Sequence, residues 1–321
     1  MYGLIGLGIL VVVFAALYGI NQLKIKQTEE KVPPLGRFLE CDGIKLHYIR
    51  KGTGTPVVFL HGGILSVHDY IEAVELVSQN YQAIAFDRPG YGYSERPGTG
   101  QATPADQARL LHGALQQLGI EKPVLVGHSW SGSLVLAYAL AYPDELSGMV
   151  LLAPGAYGGE AYPAGVADII LSRIVTAPLV GDMLVHTVLP LLGRIIVKRL
   201  VRATFAPDPV PADYLRVAEA LWPRPLQLKA NREDILTFSP AVEAISKRYG
   251  QISLPTVIVI GEDDPFNPHL QAYPLHEAIP HSHLLVLPDV AHMIPKIRPD
   301  AILQALAYLE RSRKSTTGNP P

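Results

Sequence analysis

Residues 124–133 read VLVGHSWSGS, an apolar run that ends in Gly127 and His128 and then passes through Ser129, Ser131 and Ser133. A serine hydroxyl attacks a carbonyl only if a base takes its proton, a third group orients that base, and fixed donors meet the oxyanion that forms. Of the three serines, Ser129 alone sits where a strand-like run gives way to a helix-like one. A sharp strand–turn–helix bend projects the hydroxyl clear of the backbone at the sheet's edge. Small residues are needed two before and two after, and these are Gly127 and Ser131, giving G-x-S-x-S where G-x-S-x-G is usual. Taken alone, the stretch is equally compatible with a serine-rich helix cap.

Other stretches supply the remaining groups. VIVIGEDDPFNP follows a strand-like run with Asp263 and Asp264, and LLVLPDVAHMIP follows another with His292. FLHGGILS places Gly62 and Gly63 after PVVFL, and residues 86–97 read FDRPGYGYSERP. The chain order Ser…Asp…His, with each group past a strand's carboxyl end, resembles the α/β-hydrolase superfamily from residue 37 to 311. The resemblance implies a triad of Ser129, His292 and Asp264, the acid falling three residues after Gly261 in preference to Asp263. It implies an oxyanion hole from the backbone N–H groups of Gly63 and Trp130, and a structural role for Asp87 and Arg88. It implies no cofactor and no metal. A serine at 129 argues against dehalogenases and epoxide hydrolases, which as families use an aspartate nucleophile. Cleavage of a carboxylic ester is the favoured activity. Ser129-Trp130 and the HGG at 61–63 are also similar to proline iminopeptidases, although the Pro-Gly that follows HGG there is missing. Non-catalytic members of the superfamily bind ligands in the same pocket, and the filled triad positions argue against that class.

The elements that must position these groups are legible as patterns. GRFLEC and IKLHYIRKG alternate around Asp42-Gly43 as an antiparallel pair. PVVFL, YQAIAF, PVLVG, LSGMVLLA, PTVIVIG and SHLLVLP are short apolar runs without alternation, as strands covered on both faces require. Helical spacing separates most of them. One helix is expected from Thr103, with Pro104 at its first position and Asp106 completing a capping box. This order predicts an α/β fold, a mostly parallel twisted sheet with helices on both faces, and ligands bind such sheets beyond the strands' carboxyl ends. Between Pro154 and about Ala241 the alternation stops, so residues 155–241 are expected as a helical cap over that edge. The core is then 36–154 and 242–313, with a disordered tail at 314–321.

Composition narrows the partners. With 27 basic and 29 acidic residues, nothing favours nucleic acid, and lone Cys41 forms no internal disulfide. Residues 2–20 carry no charge, and as a helix they would span about 28 Å, close to the hydrocarbon thickness of a bilayer. Lys24 and Lys26 follow that run, which favours an uncleaved single-pass anchor (1–20) over a signal peptide. Residues 21–35, polar and closing on Pro33-Pro34, are expected as a tether. In PLLGRIIVKRLVRATF, Arg194, Lys198 and Arg202 form a basic stripe opposite Leu192, Ile195, Ile196, Leu200 and Ala203. Such a helix either packs its apolar face on the core or lies on a membrane surface. The partners expected are therefore a small-molecule ester and a membrane. Oligomeric state is left open by the sequence.

Overall fold

The computed structural model describes residues 2–63, 66–98, 102–162 and 164–316. It begins with helix α1 (Tyr2–Lys31) and the antiparallel pair β1 (Arg37–Cys41) and β2 (Ile44–Lys51). The turn between them has Asp42 at φ 50° and Gly43 at φ 72°, both positive as a two-residue hairpin turn requires. Then come β3 (Pro56–Leu60), α2 (Ile71–Val77), β4 (Gln82–Phe86), α3 (Pro104–Gln117), β5 (Val124–His128), α4 (Ser131–Ala141) and β6 (Gly148–Leu152). Helices α5 (Val166–Thr176), α6 (Val180–His186), α7 (Leu189–Phe205), α8 (Ala212–Leu221) and α9 (Pro225–Ser246) follow without a strand among them. The chain re-enters the sheet at β7 (Thr256–Gly261), then α10 (Ala272–Ala278), β8 (Ser282–Leu287), α11 (Ile294–Ile297) and α12 (Pro299–Thr316).

The eight strands form one sheet in the order β1-β2-β4-β3-β5-β6-β7-β8, parallel from β4 onward. Because side chains alternate along a strand, each apolar run feeds two cores. Val58, Leu60, Leu125, Leu151 and Ile258 meet α3, α4 and α10 on one face. Val57, Phe59, Val126, Val150 and Val259 meet α2 and α12 on the other. The absence of polar alternation in these strands is thus explained by apolar cover on both sides. At the start of α3, Thr103 accepts from the Asp106 amide at 3.2 Å while the Asp106 carboxylate accepts from the Thr103 amide at 3.2 Å, a reciprocal cap.

Three boundaries differ from those expected. Residues 21–31, expected as a tether, continue α1 as helix, because NQLKIKQTEEK consists mainly of good helix formers and the break comes only at Pro33-Pro34. Helix α9 runs past residue 241 to Ser246 with Pro240 inside it, so part of the stretch assigned to the core belongs to the last cap helix. Residues 314–316, placed in a disordered tail, are the end of α12, and 317–321 lie outside the described residues.

Candidate active site

Ser129 stands between β5 and α4 with φ at 53°, a left-handed conformation that costs a non-glycine residue about 1–3 kcal/mol. The surroundings impose it. The Ser129 amide donates to the Leu152 carbonyl at 2.9 Å, and the Ser129 carbonyl accepts from the amides of Gly132 and Gly155, each at 2.8 Å. A Cβ at Gly127 would lie 2.7 Å from the Ser131 carbonyl oxygen, so the strand and the new helix all but touch. Ser131 does more than fit. Its hydroxyl donates to the His61 carbonyl at 2.5 Å, tying the elbow to the turn that follows β3.

His292 and Asp264 meet beyond the carboxyl ends of β8 and β7. The imidazole Nδ1 lies 2.9 Å and 3.1 Å from the two Asp264 oxygens, with side chains only 5 % and 4 % exposed. Burial works against ionising Asp264, but the imidazole and the Phe266 amide, which donates to it at 2.8 Å, outweigh burial and hold its carboxyl below the ordinary range. Asp263, its neighbour, is exposed. Ser129 and His292 line the same cavity. His128, just before Ser129, donates through Nε2 to the His292 carbonyl at 2.9 Å and so fixes that residue's backbone. Burial, and then the neighbouring His292, push His128 down to about 3, so it stays neutral.

Gly62 and Gly63 cross directly above this point. A Cβ on Gly62 would come within 3.1 Å of the Ser129 Cβ, so a larger residue there would press on the elbow. The carbonyls of the turn are all held from elsewhere. Arg88 donates through Nε to His61 O and through Nη2 to Gly62 O, each at 3.0 Å, and Asn231 of α9 donates to Gly63 O at 2.6 Å. Among the described residues the amides of Gly63 and Trp130 have no protein acceptor, and both residues line the cavity.

The sequence pattern missed what holds Arg88. Its Nη1 donates to Asp234 of α9 at 2.9 Å, and its guanidinium lies 4.2 Å from the Trp130 ring centre. Asp234 also accepts from Arg96 at 2.8 Å and from the Tyr91 hydroxyl at 2.9 Å, while Glu233 accepts from Arg96 at 2.7 Å. Both arginines come from the FDRPGYGYSERP stretch. The one available hint was an acidic pair, Glu233-Asp234, in the middle of a long helix.

A cavity of about 240 Å³ opens over Ser129, bounded by the sheet's carboxyl edge below and α5, α7, α8 and α9 above. Asp69 lines it fully buried, and burial raises its carboxyl to about 7 despite the Tyr214 hydroxyl that donates to it at 2.9 Å. No group of three or more potential metal ligands occurs among the described residues.

The chain belongs to the α/β hydrolase fold family, whose model matches residues 55–299, and is an enzyme of that class. It is 27 % identical over 289 residues to the uncharacterized hydrolase YugF of Bacillus subtilis, covering 87 % of this chain and 98 % of that one. It is 25 % identical over 284 residues to haloalkane dehalogenase 2 of Mycobacterium tuberculosis, covering 86 % and 94 %. A crystal structure of an α/β hydrolase fold protein from Burkholderia ambifaria superposes with a TM-score of 0.73 at 22 % identity, over 85 % of this chain and 97 % of that one.

The buried charges make two outcomes measurable. Asp234→Ala strands the Arg88 guanidinium, while Arg96 keeps Glu233, and should lower stability by about 3–5 kcal/mol, read from the urea midpoint, with loss of hydrolysis. Asp69 in the folded chain keeps its proton up to about 7, against 3.8 for a free carboxyl. Its contribution is therefore complete below the lower value and disappears as pH rises through the upper one. Asp69→Asn, which cannot ionise, should gain on the wild type by several degrees in Tm between pH 5 and pH 8; a constant difference would show that Asp69 is ionised throughout.

Proposed function

We propose that this enzyme is a serine hydrolase that cleaves a carboxylic ester, with Ser129 as nucleophile, His292 as general base and acid, and Asp264 as the orienting carboxylate. The observation that carries this reading is a serine at φ 53° sharing a cavity with an imidazole paired at 2.9 Å to a carboxylate. With Nδ1–H bound to Asp264, the Nε2 lone pair takes the Ser129 proton as Oγ forms its bond to the carbonyl carbon. The oxyanion is met by the amides of Gly63 and Trp130. His292 then gives the proton to the departing alkoxide, leaving an acyl-enzyme, and water repeats the cycle to release the acid. The carbonyls of residues 61–63 are turned to protein donors, which is the arrangement that leaves their amides for the substrate.

Halide displacement suits this site less well than acyl transfer, because position 129 offers a hydroxyl and not a carboxylate. An aminopeptidase would need a carboxylate to receive the substrate's ammonium group. The two cavity carboxyls outside the networks above are poorly suited to that role, since Asp69 is raised to about 7 and Asp168 pairs with Arg232 at 3.4 Å. The cavity wall is otherwise contributed largely by residues such as Trp130, Leu200, Ile235, Phe238, Phe266 and Met293, which suits a lipophilic ester.

In the same reading α1 anchors the enzyme in a membrane. Its apolar stretch has a mean hydropathy of 2.3, and nearly all of its described residues are left uncovered by the rest of the chain. Basic Lys24 and Lys26 follow at the boundary.

Ser129→Ala and His292→Ala should each lower kcat by about 10⁴–10⁶-fold, with the double variant scarcely worse than either. A fluorophosphonate probe should label the wild type and not Ser129→Ala. Undiminished ester hydrolysis by Ser129→Ala ends the proposal, and preferential cleavage of an N-terminal prolyl substrate over a panel of acyl esters redirects it to a peptidase.

A further inference from the structure

The sheet domain exposes large apolar side chains only singly, at positions such as Phe38, Leu270 and Val286. The cap differs. On α5, α6 and the bend between them, Val166, Ile170, Ile174, Leu179, Val180 and Met183 are all exposed. The first turns of α7 add Leu191, Leu192, Ile195 and Ile196. Of the two arrangements open for α7, the face with Leu192, Ile195 and Ile196 is not the one packed on the core: it faces outward, and the side packed inward carries Val197, Val201 and Phe205. Lys198 pairs with Glu219 at 3.1 Å and Arg202 is exposed; the Arg194 side chain lies outside the described residues.

Leu179 marks the extremity of this surface. Helices α5 and α6 meet there at 96°, and the Val180 amide donates to the Pro178 carbonyl at 2.7 Å around a residue with φ 63° and ψ −60°. That is the rarer, positive-φ kind of γ-turn, which water-facing loops give to glycine. Here it holds a leucine that is 83 % exposed.

The position of α1 says what covers this face. Asn21 donates to the carbonyls of His186 and Thr187 at the end of α6, each at 2.8 Å, and the Tyr18 ring lies 5.6 Å from that of His186. Just past the C-terminal end of α1, Val32 packs with Val217 and Leu221 of α8. The cap therefore meets this part of the chain from Tyr18, inside the uncharged stretch, through Asn21 to Val32 beyond it.

Resting on the reading that α1 is a membrane anchor, we propose that the α5–α6 corner and the first turns of α7 are a second membrane-inserted element. They enter the hydrocarbon of the leaflet that α1 crosses and admit the substrate from it. If residues 2–20 are in the bilayer, the end of α6 is at its surface, and the apolar side chains of α5 to α7 have lipid as their partner. The same two helices roof the catalytic cavity, α5 through Asp168 and α7 through Leu200 and Thr204. A lipophilic ester would then pass between them without crossing water. Aliphatic side chains predominate on this face, which points to acyl chains as the occupant.

The test uses the full chain reconstituted in phosphatidylcholine vesicles. Cys41 is buried, so a single introduced cysteine can carry an environment-sensitive fluorophore, either Leu179→Cys at the corner or Glu121→Cys at the sheet's opposite edge. The expected result is quenching of the label at 179 by acyl-chain-attached quenchers and none at 121, unchanged when the protein is diluted tenfold in lipid. In a second arm, Ile174→Asp with Leu179→Asp should raise KM at least tenfold for a long-chain ester presented in vesicles. The same variant should leave kcat and KM for a short soluble ester as in the wild type, which shows that it is folded. A vesicle-bound enzyme whose label at 179 stays in water overturns the inference and leaves the anchor standing. Shielding that is lost on dilution overturns it in favour of a second copy of the chain, and binding that needs anionic lipid with the label still in water overturns it in favour of surface attraction. Enzyme that does not sediment with vesicles removes the anchor and this inference together. A wild type inactive on the short ester removes the hydrolase reading instead.

Discussion

A guanidinium group with 1 % of its residue exposed must find a partner, and the site is built around that necessity at Arg88. Removing one ion from water costs several kcal/mol even after the protein relaxes, so an unpaired Arg88 would unfold what surrounds it. Its hydrogen bonds meet the need by reaching outward in three directions: to the carbonyls of His61 and Gly62, to Gln107 of α3 at 3.1 Å, and to Asp234 of α9. The turn over Ser129, the helix beneath the sheet's edge and the cap are thereby one charge-neutralised unit. The backbone amide of Arg88 adds a bond to His61 Nε2 at 2.9 Å, which requires a neutral imidazole, and burial with the adjacent guanidinium pushes His61 down to about 3.

The same pairing limits how the cap can move. Lifting α9 would part Asp234 from two arginines in a dry environment, at the full cost of exposing or stranding them. Among the described residues helices α5 to α7 have no comparable tie to the core, for their ion pairs with α9 and α8 (Lys229 with Asp182, Arg232 with Asp168, Lys198 with Glu219) lie at the surface and count for little. Access to the cavity is therefore a matter for α5 and α7, while α9 belongs mechanically with the sheet.

The strands, the turn at Asp42-Gly43 and the cap of α3 were legible because each is a local pattern with a local cause. Asp264 is preferred to Asp263 only through the family resemblance, and it is the carboxylate beside His292. Ser131 was readable only as a tolerated small residue. Its bond to His61 depends on a segment 70 positions away, and Asp234 lies 146 from Arg88. Pairings at such separation leave no spacing to read. The end of α1 was misjudged for another reason. A change from apolar to polar residues alters where a helix can sit, not whether its backbone bonds form, and the chain stops being helical only where Pro33-Pro34 removes donors.

The face of α7 turned on a similar ambiguity. Period alone distinguishes a basic stripe from an apolar one but does not say how wide the buried arc is, and here apolar residues outnumber the positions the core can accept. Val197, Val201 and Phe205 fill the interior together with Trp222 and Leu228. Ile195 and Ile196 are left outside because that interior is already packed, and a protein interior at native density has no space for them. A soluble cap would have polar residues there. The excess lies on cap helices that also bound the cavity, and α1 meets the same cap at the end of α6. An enzyme held at a membrane surface would meet its substrate as a solute of the membrane, where long acyl chains concentrate and ions do not.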